Sequence, residues 1–217
     1  MHKPFLLLVS LSILLSAIEI RQTPIKFTKF RYQLTKEYIK THYGIDAKNI
    51  NITPKIVVVH HTAIDDYKKS LGRFTDERLP SDRPDLDNGS TSVNVSTHFM
   101  VERDGTIHQL MPLKYMARHV IGLNYNSIGI ENVGGENSID NLTEAQLEAN
   151  VEIIKYLQQK YASIRYVIGH YEYRCFEGDD LWLEKDKGYR TKKDDPSKRF
   201  MDDLFGKLDY FTRAPCD

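Results

Sequence analysis

Hydrophobic positions in this chain follow two rhythms. IVVVH (residues 56–60) is an unbroken β-branched run, as expected of a strand buried on both faces. SIGIENV (residues 127–133), ended by Gly134-Gly135, and YVIG (residues 166–169) also read as strands. Leu147, Val151, Ile154 and Leu157 instead recur at helical spacing. Thr143 followed by Gln146 forms a capping-box pattern, so a helix is predicted from Glu144 to about Tyr161. Phe200, Leu204 and Leu208 predict a last helix over residues 200–208 with that stripe facing inward, and a weaker helical pattern covers residues 29–42.

Polar stretches fill the gaps. Residues 65–91, with Pro80, Pro84 and DNGS at 87–90, predict a short helix followed by a long surface loop. STHFMVER and TIHQLMP flank Asp104-Gly105, which predicts a hairpin closed by a type I′ turn with positive φ at both central residues. Strands and helices alternate without strict βαβ regularity. The fold class is therefore α/β: a single domain with a central mixed sheet flanked by helices.

The first residues break this pattern. A short basic start (His2, Lys3) leads into an apolar run over residues 5–17, shorter than the roughly 20 residues a membrane-spanning helix needs. We read residues 1–17 as a signal peptide cleaved near Ala17. Export follows, to a periplasmic or secreted location, with no stable membrane anchor. An uncleaved anchor and a buried helix are the alternatives. The composition adds exclusions. The 217 residues are 41% hydrophobic and 28% charged, ordinary for a globular domain and unlike a disordered chain. Thirty Lys+Arg balance thirty Asp+Glu, which argues against a nucleic-acid coat protein. Oligomeric state is not legible.

Of the eight histidines, His60 and His170 stand at the carboxyl ends of apolar strands, where α/β folds open their sites. Two histidines and a carboxylate are a known zinc-hydrolase set. Cys175, Asp179-Asp180 and Asp194-Asp195 are all candidates for the third ligand, and spacing does not choose among them. Asn51, Asn94 and Asn141 begin glycosylation-acceptor patterns, meaningful only in a eukaryotic secretory pathway.

Five blocks occur in order: VVVHHTA, VSTHFMVERDGTIHQLMP, ARHVIGLNYNSIGIENVGG, YVIGHYEYR and KKDDPSKRF. Together they resemble the zinc-dependent N-acetylmuramoyl-L-alanine amidases of the AmpD-like type, which share a fold with amidase-type phage lysozymes and peptidoglycan-recognition proteins. The resemblance runs over residues 56–200. It divides the chain into signal peptide (1–17), N-terminal extension (18–50) and zinc amidase catalytic domain (51–217).

The resemblance implies Zn2+ held by His60, His170 and Asp195, the Asp directly before Pro196. It implies Glu131 as catalytic acid/base, Lys193 reaching the reacting carbonyl, and His119 lining the substrate groove. The substrate it implies is peptidoglycan or muropeptide, cut between N-acetylmuramic acid and L-alanine. Thr97 stands where the phage branch has a catalytic Tyr, and Glu131 fits the AmpD-like branch. The segment FEGDDLWLEKDKGYRTKK resembles an insertion at the site's rim, and Asp194 is the fallback ligand. Cys175 lies too close to His170 to match the phage cysteine ligand, so a Cys175–Cys216 disulfide is expected. Blander roles remain open: Glu131 paired with Arg118, Lys193 on a solvated surface, His61 and His98 packing only. The competing functions are a non-catalytic muropeptide-binding module of this fold and a hydrolase of some other amide.

Overall fold

The computed structural model of the protein describes residues 18–86 and 92–216. The expected signal peptide lies outside the described residues, as does the DNGS stretch of the long loop. One six-stranded sheet runs through the molecule. Its strands are β1 (Arg21–Gln22), β2 (Ile56–His61), β3 (Phe99–Val101), β4 (Ile107–Gln109), β5 (Ser127–Asn132) and β6 (Tyr166–Gly169), in the order β1-β4-β3-β5-β2-β6. The pairs of β2 with β5 and β6, of β3 with β5 and of β1 with β4 are parallel; only β3–β4 is antiparallel. The sheet is mixed, as the sequence predicts.

The helices are α1 (Lys29–Tyr43), α2 (Tyr67–Thr75), α3 (Glu144–Lys160) and α4 (Lys198–Phe205). The α3 capping box forms as expected: Thr143 accepts from the Gln146 backbone while the Gln146 side chain accepts from the Thr143 N–H. The last helix starts and stops earlier than its apolar stripe suggests. Ser197 caps its N-terminus, and Leu208 is buried beyond its end. Helix α1 is firmer than its weak pattern implies, because the partners are tertiary. Tyr38 and Ile39 are wholly buried, and the Arg31 guanidinium donates to the carbonyls of Phe74, Thr75 and Asp76 at the end of α2. Residues before 51 thus share the main core with the sheet.

The hairpin turn differs from the expectation. Only Gly105 has positive φ (88°); Gly105 N–H donates to Glu102 O and Glu102 N–H to Thr106 O. This is a three-residue loop with glycine in the left-handed position rather than a type I′ turn. Asp104 still contributes, because its Oδ1 accepts from the Thr106 N–H at 2.9 Å.

Period-two alternation separates the two faces of the sheet. Val57, Val59, Ile128, Ile130 and Val167 pack with α3 and α4 in the main core. Ile56, Val58 and Ile168 face the other way, so His60 and Glu131, which are register partners, emerge on that second face. Cys175 and Cys216 form a disulfide with a sequence separation of 41, tying the C-terminus to the turn after β6. No helix among the described residues is long and apolar enough to cross a membrane.

A candidate metal centre at the strand tips

His60 ends the inward-facing run of β2, and His170 follows directly on β6. Asp195 arrives from far along the chain. The Tyr171 N–H donates to the Asp195 carbonyl at 3.1 Å, which draws the two segments together. The result is a triangle of ligand atoms. His60 Nδ1 lies 2.9 Å from His170 Nδ1, His170 Nδ1 lies 3.1 Å from Asp195 Oδ2, and Asp195 Oδ2 lies 3.3 Å from His60 Nδ1. All three residues are buried.

This geometry fits a cation. Ligands about 2.0–2.2 Å from a tetrahedral zinc would stand about 3.3 Å apart. The electrostatics favour the ligand forms. Burial and the neighbouring His170 push the His60 imidazole down to about 4, so it is neutral at pH 7. Burial would raise Asp195, but the adjacent imidazoles outweigh it and hold the carboxyl well below its usual range. Two imidazole nitrogens and a carboxylate oxygen aimed at one point are the donor set that suits a shared cation.

A cavity of about 330 Å³ opens onto the cluster. Glu131 and Lys193 both line it. Glu131 is buried, and its Oε2 has no hydrogen-bond partner among the described residues. Burial pushes its carboxyl up to about 8, with Asp195 adding and the Lys193 and Arg83 charges opposing. The pairing of Glu131 with Arg118 does not form. Arg118 instead donates to the carbonyls of Val93 and Leu86 and to Tyr189 Oη.

The other sequence candidates do not join the three-residue cluster, although Asp194, His61 and His119 line the same cavity. Asp194 is exposed and accepts from Ser138 Oγ; Asp179 and Asp180 are exposed; Cys175 is consumed by its disulfide. Among the described residues His60, His170 and Asp195 form the only cluster of ligand-type side chains placed to hold a metal ion. His98 is structural: Nε2 donates to Tyr115 O and Nδ1 accepts from the Gly129 N–H. His61 accepts from the Ala63 N–H and lies against Gly135, where an added Cβ would come within 2.5 Å of its ring. His119 lines the cavity but also lies 3.0 Å from His60 Nε2. Asn94 is buried and holds the end of α2 through its side chain, which excludes it as a glycan acceptor; Asn51 is exposed.

Sequence reasoning missed the supports. Asn132 Nδ2 donates to the His60 carbonyl, and Asn150 on α3 donates to Asn132 Oδ1. The inserted segment walls the cavity with Tyr189, Thr191 and Lys192. It is anchored where Trp182 lies against Gly122, so closely that an added Cβ there would come within 2.6 Å of the indole. No local signal marks these residues.

Comparisons with known proteins bear on the family and the fold. Residues 50–198 match the family described as N-acetylmuramoyl-L-alanine amidase. Among solved structures, the endolysin amidase LysCS from Clostridium intestinale URNW is similar at a TM-score of 0.51 and 19% identity, over 87% of this chain and 94% of that one. Bumblebee PGRP-SA is similar at a TM-score of 0.50 and 19% identity, over 89% of this chain and 97% of that one. At these identities the likeness is one of fold. No curated protein matches the chain.

Proposed function

The chain belongs to the N-acetylmuramoyl-L-alanine amidase family, and from that premise we propose that it is an exported zinc hydrolase of peptidoglycan or muropeptides. It would cut the amide between the lactyl group of N-acetylmuramic acid and L-alanine. The observation that carries this reading is the convergence of His60, His170 and Asp195 at ligand spacing in a cavity that Glu131 also lines, with one Glu131 carboxyl oxygen buried and without a hydrogen-bond partner among the described residues. A pure binding surface has no need of a buried carboxyl with an unpartnered oxygen beside such a cluster.

The residues divide the labour. His60, His170 and Asp195 would hold Zn2+, which when bound supplies a Lewis acid and eases loss of a proton from water. Glu131 accepts the proton of the attacking water and returns it to the departing amine of L-alanine. Its raised carboxyl suits it to the second task, and the Lys193 and Arg83 charges favour the first. Lys193 donates to the carbonyl oxygen as it gains negative charge; loss of such a donor costs about 3–4 kcal/mol in the transition state. His119 forms part of the cavity wall that receives the substrate.

Zinc content, together with mass spectrometry of products from muropeptides and from sacculi, tests the proposal. Wild type should carry one zinc and release free peptide. Glu131→Ala should keep the metal and lose activity by about 10²–10⁴-fold. A wild type that binds muropeptide but never cuts it would establish the binding-module reading instead. Cleavage of other acyl-amides with inert muropeptides would redirect the substrate assignment.

A further inference from the structure

Only one ring nitrogen of His60 faces the ligand cluster. Nδ1 lies 2.9 Å from His170 Nδ1, whereas Nε2 points away and lies 3.0 Å from His119 Nδ1. His119 is engaged at its far side too, with Nε2 3.2 Å from Ser127 Oγ. The Ser127 hydroxyl in turn donates to the carbonyl of Leu123 at 2.9 Å.

That last bond gives the chain a direction. A serine hydroxyl has one proton, and a neutral imidazole has one N–H. With its proton on the Leu123 carbonyl, Ser127 Oγ can only accept, so His119 presents Nε2–H to it. His119 Nδ1 is then a bare acceptor, and His60 must present Nε2–H. The remaining bare nitrogen is His60 Nδ1, the atom aimed at His170 and Asp195. The reverse assignment would require the Ser127 proton in two places.

The surroundings enforce this order. Ser127 and His60 are almost wholly buried and His119 only 9% exposed, which limits competition from water for their protons. The His119 backbone is pinned, because its N–H and that of Val120 both donate to Asn124 Oδ1, at 2.7 and 2.8 Å. The ring also requires a glycine beneath it. A Cβ at Gly129 would come within 2.8 Å of His119 Nδ1 and 2.9 Å of Thr97 Oγ1.

We propose that Ser127 and His119 are positioning residues that lock His60 in its Nε2–H tautomer and so select the ligating nitrogen before metal arrives. This rests on the metal-site reading above and assigns the relay to the protein alone. Outer partners of this kind are worth about 10–100-fold in metal affinity.

Long-range proton–nitrogen NMR of the metal-free full chain near pH 8 reads the tautomers directly. Zinc alone, titrated against a chromophoric chelator, reads affinity. Wild type should show Nε2–H at both His60 and His119. Ser127→Ala should mix the His119 tautomers and weaken zinc binding by about 10–100-fold, and Ser127→Thr should restore most of the loss by returning a hydroxyl. His60 as Nδ1–H in wild type overturns the proposal, whether or not any variant folds. So does a Ser127→Ala protein with unchanged tautomers and zinc affinity. A wild type with the expected tautomers but no zinc binding would uphold the relay and sink the hydrolase reading. Muropeptide cleavage by a wild type with His60 as Nδ1–H would do the opposite.

Discussion

Two regions of the molecule place an imidazole against a buried carboxylate at almost the same distance. At the strand tips, His170 Nδ1 lies 3.1 Å from Asp195. Between α1 and the inserted segment, His42 Nδ1 lies 2.8 Å from Glu184. The second pair is the shorter and the more deeply buried, yet it has the look of a fastener. Its ring is sandwiched by Tyr38 at 4.1 Å and Tyr189 at 4.9 Å, and the Lys185 N–H donates to the His42 carbonyl. Neither residue lines the cavity. What distinguishes the first region is a further imidazole, that of His60, whose Nδ1 joins the same point beside a cavity. Histidine–carboxylate contact alone therefore says little about function; convergence of acceptors on a cavity says much.

Removing one partner from each region should separate them most strongly. Asp195→Ala is expected to abolish zinc binding and reduce amide cleavage to background while the metal-free fold persists, as metal analysis and circular dichroism would show. Retained zinc would erase the contrast. Glu184→Ala should do the reverse, costing about 1 kcal/mol or more in urea denaturation because the buried His42–Glu184 hydrogen bond is lost, with zinc affinity unchanged.

Acid sharpens the comparison from a third position. His98 is fully buried with both nitrogens engaged, and burial pushes it down to about 4. The unfolded chain takes up this proton first, near pH 6.5, so stability present at pH 7 is lost as pH falls from about 6.5 toward 4. This group alone should remove on the order of 3 kcal/mol over that range. Denaturation curves at pH 7 and pH 4.5 should show a smaller acid loss in His98→Gln than in wild type. The least effect belongs to Glu102, which meets His108 at 2.8 Å but leaves its side chain 29% exposed. Glu102→Ala should cost less than about 1 kcal/mol, and a larger loss would show that solvent screens this edge contact less than its exposure implies.

Much of the scaffold was legible because its signals are local. The β-branched run of β2, the Thr143–Gln146 capping box and the helical stripe of α3 each depend on neighbours a few residues away. Where local signals mislead, long-range contact is the cause. The weak pattern of α1 becomes a full helix through buried Arg31 and Tyr38. Asp-Gly suggests a two-residue turn, but the strand register places Glu102 opposite Thr106 and leaves room for three. Asn94 fits an acceptor pattern while folded into the interior.

From sequence alone came five of the six strands, their order of appearance, and two histidines at the ends of apolar runs, since these are short-range signals; the two-residue β1, held only by its pairing with β4, carried no such pattern. Residue spacing left the third ligand open and only the family resemblance pointed to Asp195; the folded chain brought that carboxylate to the two histidines and decided which nitrogen of His60 faces it and which other histidine–carboxylate contacts are merely fasteners. Coordination depends on separations of about 3 Å between atoms many residues apart, and no one-dimensional pattern encodes a distance through space.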